Sequence, residues 1–113
     1  MDFRQPYRYN SSMRPFKHPS PEEFTLERVL YALSDPLRLA IVRCLSVQEE
    51  ATCSELDGGR PKSSVSHHFR VLRDSGLLHT SNSGTTHINR LRRSEMQQRF
   101  PGLLDAILAQ SAE

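Results

Sequence analysis

Helix start and stop signals recur along this chain at intervals too short for any long helix, and they divide it into short rods ahead of a β-rich stretch. Ser20-Pro21-Glu22-Glu23 opens the first rod, because Ser20 can cap backbone amides, Pro21 fits the first helical position and Glu23 can return a bond in a capping box. Leu26, Val29, Leu30 and Leu33 follow at helical spacing, with Phe24 and Tyr31 extending the apolar surface, so a helix is expected from Ser20 to about Leu33. Asp35-Pro36 repeats the start signal, and Leu37, Ala40, Ile41, Cys44 and Leu45 fall on one face of a second helix. Thr52-Cys53-Ser54-Glu55 forms another capping box, opening a short third helix around Leu56 that Asp57-Gly58-Gly59 closes.

A fourth helix is expected over residues 64–74, with Val65, His68, Phe69 and Leu72 inward and Gly76 stopping it. Residues 77–81, a turn at Asn82-Ser83-Gly84 and residues 85–91 read as a β-hairpin. Ser94 then caps a final helical region, which Pro101-Gly102 interrupts ahead of Leu103, Leu104, Ile107 and Leu108. The fold class is therefore mainly α with a small β-hairpin, in the order α-α-α-α-β-β-α. Residues 1–19 mix Pro6, Pro15 and Pro19 with Asn10, Ser11, Ser12 and four bases without sustained periodicity, and they read as a flexible basic arm. Phe3, Tyr7, Tyr9 and Phe16 give that arm a means of docking on the body or on a partner; residues 20–113 make up the folded domain.

A chain of 113 residues with 36% apolar content suits one compact unit and leaves little room for a large enzyme cleft. No apolar run is long enough to cross a bilayer and the N-terminus lacks the apolar core of a secretory signal, so the cytoplasm is the expected location. Cys44 and Cys53 are too few for the disulfide framework of a small secreted domain and are read as thiols.

Charge is uneven. Residues 60–93 carry seven bases (Arg60, Lys62, Arg70, Arg73, Arg90, Arg92, Arg93) against Asp74 alone, whereas residues 20–59 hold three bases and eight acids. The basic half is suited to an anionic partner. Two short helices joined by a glycine-containing turn, with bases on the second, follow the helix-turn-helix plan, whose second helix enters the DNA major groove. Burying Val65, His68, Phe69 and Leu72 turns Lys62, Ser63, Ser64, Ser66, His67 and Arg70 outward. Serine and histidine exchange hydrogen bonds with base edges, lysine and arginine reach phosphates or guanine, and the helix N-terminus adds a partial positive charge. One of Ser63 and Ser64 is expected to cap the helix. Ser66, His67 and His68 are adjacent on one helix with no orienting acid nearby, and no glycine-rich phosphate loop is present, so an enzyme is not expected.

The string Asp35-Pro36-Leu37-Arg38-Leu39-Ala40-Ile41 is followed by Ser64-Val65-Ser66-His67-His68-Phe69-Arg70-Val71-Leu72-Arg73-Asp74-Ser75-Gly76-Leu77-Leu78 and then by a hairpin with a glycine turn. Over about residues 22–110 this pattern resembles the ArsR-type (arsenic-repressor) family of winged helix-turn-helix regulators. The resemblance implies a symmetric dimer joined by its first and last helices, where Leu26, Leu30, Leu104, Ile107 and Leu108 would be buried, and a pseudo-palindromic operator from which an inducer releases the repressor. It places Ser66 and His67 at bases and Ser64 and Arg70 near the backbone, and gives His68 a packing or internal hydrogen-bonding role. The hairpin becomes the wing, along the flanking minor groove or backbone. Its tip offers Asn82, Thr85, Thr86 and His87 in place of the arginine often found there, which leaves Arg90, Arg92 and Arg93 at its base to hold phosphates.

Metal-sensing relatives place a Cys-x-Cys pair on the third helix, where this chain has Thr52-Cys53-Ser54; others use Asp and His on the last helix, and residues 94–113 contain no histidine. No metal or other cofactor is therefore expected, and zinc held by Cys53, His79 and His87 is the remote alternative. Cys44 lies on a buried stripe, while Cys53 sits at the first turn of a capped helix where thiolate is favoured. The readings are thus a DNA-binding repressor first, with a thiol-based redox sensor using Cys53, alone or with Cys44, and a winged-helix protein-interaction module without specific DNA binding as alternatives.

Overall fold

The structure, a computed structural model, describes residues 15–110. A 3-10 turn, Pro21–Glu23, precedes α1 (Leu26–Leu33), α2 (Pro36–Val47), β1 (Ala51–Thr52), α3 (Cys53–Leu56), α4 (Lys62–Ser75), β2 (Leu78–Ser83), β3 (Thr86–Leu91), α5 (Arg93–Arg99) and α6 (Leu103–Leu108). This is the expected helix-rich fold with a hairpin, plus one strand that the sequence did not signal. Ala51–Thr52 pairs antiparallel with β3, giving a three-stranded sheet in the order β1-β3-β2.

Most capping signals act as expected. The Asp35 carboxylate accepts from the N–H groups of Leu37 and Arg38 at 2.9 and 3.1 Å. Thr52 and Glu55 form their reciprocal box, with Thr52 N–H on Glu55 Oε1 at 2.8 Å and Glu55 N–H on Thr52 Oγ1 at 3.1 Å. The first helix, in contrast, is split. Ser20 N–H donates to Glu23 Oε1 at 2.7 Å, but only a single 3-10 turn forms before Phe24 goes extended (φ −66°, ψ 135°). That break carries the Phe24 ring inward until it is 1% exposed, and Thr25 caps a fresh helix by accepting from Arg28 N–H at 3.2 Å. Burial of the ring therefore outweighs continuity of the rod.

Helix α4 begins two residues earlier than expected, behind Pro61, so neither Ser63 nor Ser64 is its N-cap; Ser64 Oγ donates back to the Pro61 carbonyl at 2.9 Å instead. It ends at Gly76, whose φ of 93° suits glycine, and a Cβ there would meet Phe24 Cε1 at 2.2 Å. The hairpin turn falls at Gly84-Thr85, closed by the Ser83–Thr86 pair, so Asn82 and Ser83 belong to β2 rather than to the turn. Helix α5 starts at Arg93, with no side-chain cap from Ser94.

The core joins Phe24, Val29, Ala32, Ile41, Val42, Leu45, Val65, Phe69, Leu72, Leu77, Leu78 and Met96. Large side chains among these contribute about 1.5–3 kcal/mol each on burial. Leu104, expected at a dimer face, is 4% exposed and belongs to this core, because α6 folds back onto the body. Arg43 secures that return by donating to the Leu108 carbonyl at 3.1 Å. One polar rung crosses the sheet: Thr80 Oγ1 donates to Asn89 Oδ1 at 2.7 Å, and Asn89 Nδ2 donates to the Ala51 carbonyl at 3.4 Å. Asn89 is fully buried, so these partners offset the cost of sealing an amide inside the sheet.

Residues 15–19, read from sequence as the end of a flexible arm, lie against the body. Thr80 N–H donates to His18 Nε2 at 2.9 Å, and the His18 ring stacks on His79 with centroids 4.2 Å apart. The Phe16 ring takes the Arg73 guanidinium on its face at 4.4 Å and meets His87 edge-on at 4.9 Å. Aromatic and histidine side chains thus give this proline-containing segment partners that its lack of periodicity did not reveal. The rest of the expected arm, residues 1–14 with Phe3 and the two tyrosines, lies outside the described residues.

Candidate nucleic-acid interface

Helix α4 is fixed by its inner face. Val65, Phe69 and Leu72 are 2%, 3% and 0% exposed, whereas Lys62, Ser63, Ser64, Ser66, His67 and Arg70 are all exposed. The outward row keeps few internal partners: Arg70 stands 3.9 Å from Asp74 one turn along, with both side chains mostly in solvent. Such a pair contributes little and opens readily.

His68, on the flank of α4, joins an internal network. Arg38 is 5% exposed although charged; its Nε donates to the Ala32 carbonyl at 2.8 Å, its Nη2 to the Tyr31 carbonyl at 3.2 Å, and its Nη1 meets His68 Nδ1 at 3.0 Å. A guanidinium only donates, so Nδ1 is the accepting nitrogen and the imidazole proton sits on Nε2. One side chain thereby caps the C-terminal carbonyls of α1 and steadies α4. Burial pushes the Asp35 carboxyl up, but the N–H groups of Arg38 and Leu37 and the nearby His68 and Arg38 outweigh it and hold the carboxyl below its usual value. In the sequence Arg38 is visible only as one residue of the Asp35–Ile41 string, since its partners lie on other helices.

The wing meets the start of α4. Thr85, Thr86 and His87 share a shallow cleft of about 200 Å³ with Lys62, Val65, Thr52, Cys53, Ser54 and Asp57. Lys62 and the wing tip thus come together, while Ser66, His67 and Arg70 follow along the helix. Burial and the positive charges of Lys62 and Arg73 hold His87 below the usual histidine value.

The base of the wing differs from expectation. Arg92 does not face outward: its side chain is 9% exposed, its Nε and Nη2 hold Glu95 at 2.7 and 3.0 Å, and its Nη1 donates to the Pro19 carbonyl at 2.8 Å. Its guanidinium also lies 5.0 Å from the Phe24 ring centre, so packing and carboxylate capture remove it from the phosphate-facing set. The Arg92 hydrogen bond in turn holds the Glu95 carboxyl below its usual range. Arg90 is exposed but paired with Glu50 at 2.7 Å, and Arg93 with Asp105 at 3.0 Å. Neither shares the cleft at the wing tip.

Both cysteines are free and half-buried. Cys53 Sγ accepts from Asn89 Nδ2 at 3.3 Å, and Cys44 Sγ donates to Gln48 Oε1 at 3.0 Å. Among the described residues no three His, Cys, Asp or Glu side chains converge as a metal site, so Cys53, His79 and His87 do not meet around a common point. On α1, Leu26, Leu30 and Tyr31 are 43%, 46% and 58% exposed, while Ile107 and Leu108 are half-buried against the core. Among the described residues no helix is long and apolar enough to cross a membrane.

A buried-faced helix that presents a polar row, preceded by a short helix and followed by a hairpin touching its start, defines a winged helix-turn-helix DNA-binding protein. Residues 33–81 match the helix-turn-helix domain family. An uncharacterized HTH-type transcriptional regulator of Bacillus subtilis (strain 168), YceK, is 36% identical over 83 residues, which is 71% of this chain and 83% of that protein. The arsenical resistance operon repressor of Staphylococcus xylosus is 36% identical over 67 residues, 58% of this chain and 64% of the repressor. The crystal structure of an ArsR family transcriptional regulator superposes with a TM-score of 0.59 at 29% identity, covering 74% of this chain and 88% of the other. That of a possible transcriptional regulator for arsenical resistance gives 0.57 at 26% identity, covering 76% and 88%. The chain belongs to the HTH-type transcriptional regulators and is similar in sequence and fold to members of the ArsR family.

Proposed function

We propose that this chain is a homodimeric, cytoplasmic, non-catalytic repressor that binds a pseudo-palindromic operator and leaves it when an inducer binds. The observation that carries the reading is the division of α4, with Val65, Phe69 and Leu72 inside and Ser66, His67 and Arg70 outside. In this reading Ser66 and His67 meet base edges, and Lys62, Ser63, Ser64 and Arg70 hold the adjacent backbone, aided by the partial positive charge at the helix start. Thr85 and Thr86 set the wing against flanking phosphates, and Arg90 joins them if its pair with Glu50 opens. Residues 20–113 supply both DNA binding and dimerisation, with Leu26 and Leu30 of α1 and Ile107 and Leu108 of α6 meeting a second copy. The uncovered Leu26, Leu30 and Tyr31 support this, since a solvent-facing apolar strip on a short helix gains by association.

The test is selection of bound duplexes from a random-sequence library by the full chain, followed by gel shift. Expected are two related half-sites about 10 base pairs apart, centre to centre, bound at about 10 nM. Salt-sensitive but sequence-blind binding would overturn the operator reading and favour a protein-interaction module.

A second reading concerns what releases the repressor. Cys53 lines the cleft beside Lys62 at the start of α4, so oxidation there would alter the groove next to the DNA face. Unchanged operator affinity of the wild type after peroxide, or an equal peroxide-induced loss in Cys53→Ser, removes the thiol switch. Cys44, held by Gln48 on α2, serves as the control position.

A further inference from the structure

The hairpin is anchored in the core at one end only. Leu78, Thr80 and Asn89 are buried, but from Ser81 round the turn to His87 no side chain is, and only Asn82 and His87 are even half-buried. Two strands without a covered apolar face hold together only marginally in water. Beside this outer half, the cleft of about 200 Å³ between Thr85, Thr86 and Lys62 leaves room for the wing to shift against α4. Phe16 fastens it. The ring meets His87 edge-on at 4.9 Å, one rung from the closing Ser83–Thr86 pair, and takes the guanidinium of Arg73, in the last turn of α4, on its face at 4.4 Å. Phe16 is itself placed from the buried end of the sheet. His18 Nε2 accepts from Thr80 N–H at 2.9 Å, and Arg92, which also holds Glu95, donates to the Pro19 carbonyl at 2.8 Å.

We propose that Phe16 is a positioning residue for DNA binding: by joining Arg73 to His87 it sets the separation of the wing from α4, so that Thr85 and Thr86 reach flanking phosphates while Ser66 and His67 stand at the bases. The proposal rests on the operator reading above. Residues three and four apart on a helix share a face, so Arg73 falls on the side of α4 that carries Lys62 and Ser66. His87 lies close enough to both Lys62 and Arg73 for their charges to disfavour its protonated form. The wing strand thus runs beside that face, and a ring gripping Arg73 and His87 together governs the gap between them. An aromatic side chain does this where an aliphatic one would not, because the ring face attracts a guanidinium and ring pairs favour the edge-on arrangement found with His87. Phe16 touches neither base nor phosphate in this arrangement and acts only through the wing.

The experiment is phosphate-ethylation interference with the full chain, Phe16→Ala, Phe16→Tyr and the double variant of Phe16→Ala with Arg73→Met, on the duplex obtained by library selection and extended by about 10 base pairs, one helical turn, on each side. Circular dichroism first establishes that each variant is folded. Wild type is expected to give two groups of sensitive phosphates, one within the half-sites from α4 and one in the flanks from the wing. In Phe16→Ala the flank group should fade while the half-site group and the selected bases persist, with affinity lower by about tenfold for the lost hydroxyl–phosphate bonds. Phe16→Tyr keeps the ring and should keep both groups. The double variant should lose no more of the flank group than Phe16→Ala alone, as expected for two residues acting as one unit. An unchanged flank group in Phe16→Ala, equal fading of both groups, or failure of tyrosine to rescue would overturn the proposal. Additive losses in the double variant would overturn the part played by Arg73. A wild type with half-site sensitivity and none in the flanks would overturn the proposal and leave the operator reading standing, whereas selection that yields no preferred duplex would bring down both.

Discussion

Arg38 Nη1 meets His68 Nδ1 at 3.0 Å, so α2, which Asp35 caps, is tied directly to the flank of α4. The same guanidinium closes the end of α1 through the Tyr31 and Ala32 carbonyls. One buried charge thus fixes three helices relative to one another.

Arg38→Met should lower unfolding free energy by about 2–3 kcal/mol in urea titrations, because carbonyls at the end of α1 lose a charged donor. Arg38→Lys should restore little, since one ammonium cannot span three acceptors held by a planar fork. Full stability in the lysine variant would show that charge alone, without the fork, suffices.

His68→Ala should cost about 1 kcal/mol of stability and leave the ranking of operator variants unchanged, as expected for a positioning residue. His67→Ala, on the exposed row, should instead reduce discrimination between bases by about 1–3 kcal/mol with little change in melting. Gel shifts on single-base operator variants, paired with melting curves, separate the two neighbours. A shifted base preference in His68→Ala would move that residue to the DNA face.

Gly76→Ala combines a left-handed backbone with a Cβ placed 2.2 Å from Phe24 Cε1, and the ring is walled in by the core. The expected loss is about 3 kcal/mol. Trimming the ring in the double variant with Phe24→Leu should recover part of it, which a double-mutant cycle reads directly.

Arg92→Ala should destabilise the fold by about 2 kcal/mol, since it leaves Glu95 and the Pro19 carbonyl without their donor. Affinity of the folded fraction for the selected operator should stay near wild type. Uniform weakening on that duplex at unchanged stability would return Arg92 to the phosphate-binding set.

Acid should release residues 15–19 from the sheet edge before it loosens the core. Burial, then the charges of His79, Arg92 and Arg73, lowers His18 from the ordinary 6.5 to about 4. The free segment therefore binds a proton more readily than the docked one. Docking is fully supported above pH 6.5 and loses that support as the pH falls from 6.5 toward 4. Histidine NMR signals of His18 and His79 should report release across this window, and His18→Gln should flatten the response.

The helical plan was legible because capping residues and apolar spacing are local: Asp35-Pro36 and the Thr52–Glu55 box act as read, and Val65, Phe69 and Leu72 are buried as their spacing requires. What escaped the sequence depends on distant partners. Ala51–Thr52 is too short to show alternation and becomes a strand only because Asn89 reaches across to it. Phe24 breaks the first helix because a cleared space beside Gly76 awaits its ring. Arg92 reads as one more base beside Arg90 and Arg93, and only the fold brings Glu95, Phe24 and Pro19 around it. Leu104 continues an apolar stripe whose inner and outer members the periodicity of a six-residue helix does not separate.

By taking the Thr80 N–H, His18 also occupies an outward backbone donor on the last strand of the sheet. Exposed strand margins invite pairing with another molecule's main chain. Residues 15–19 cover that margin, and His18→Ala is expected to lower the concentration at which the protein begins to clump.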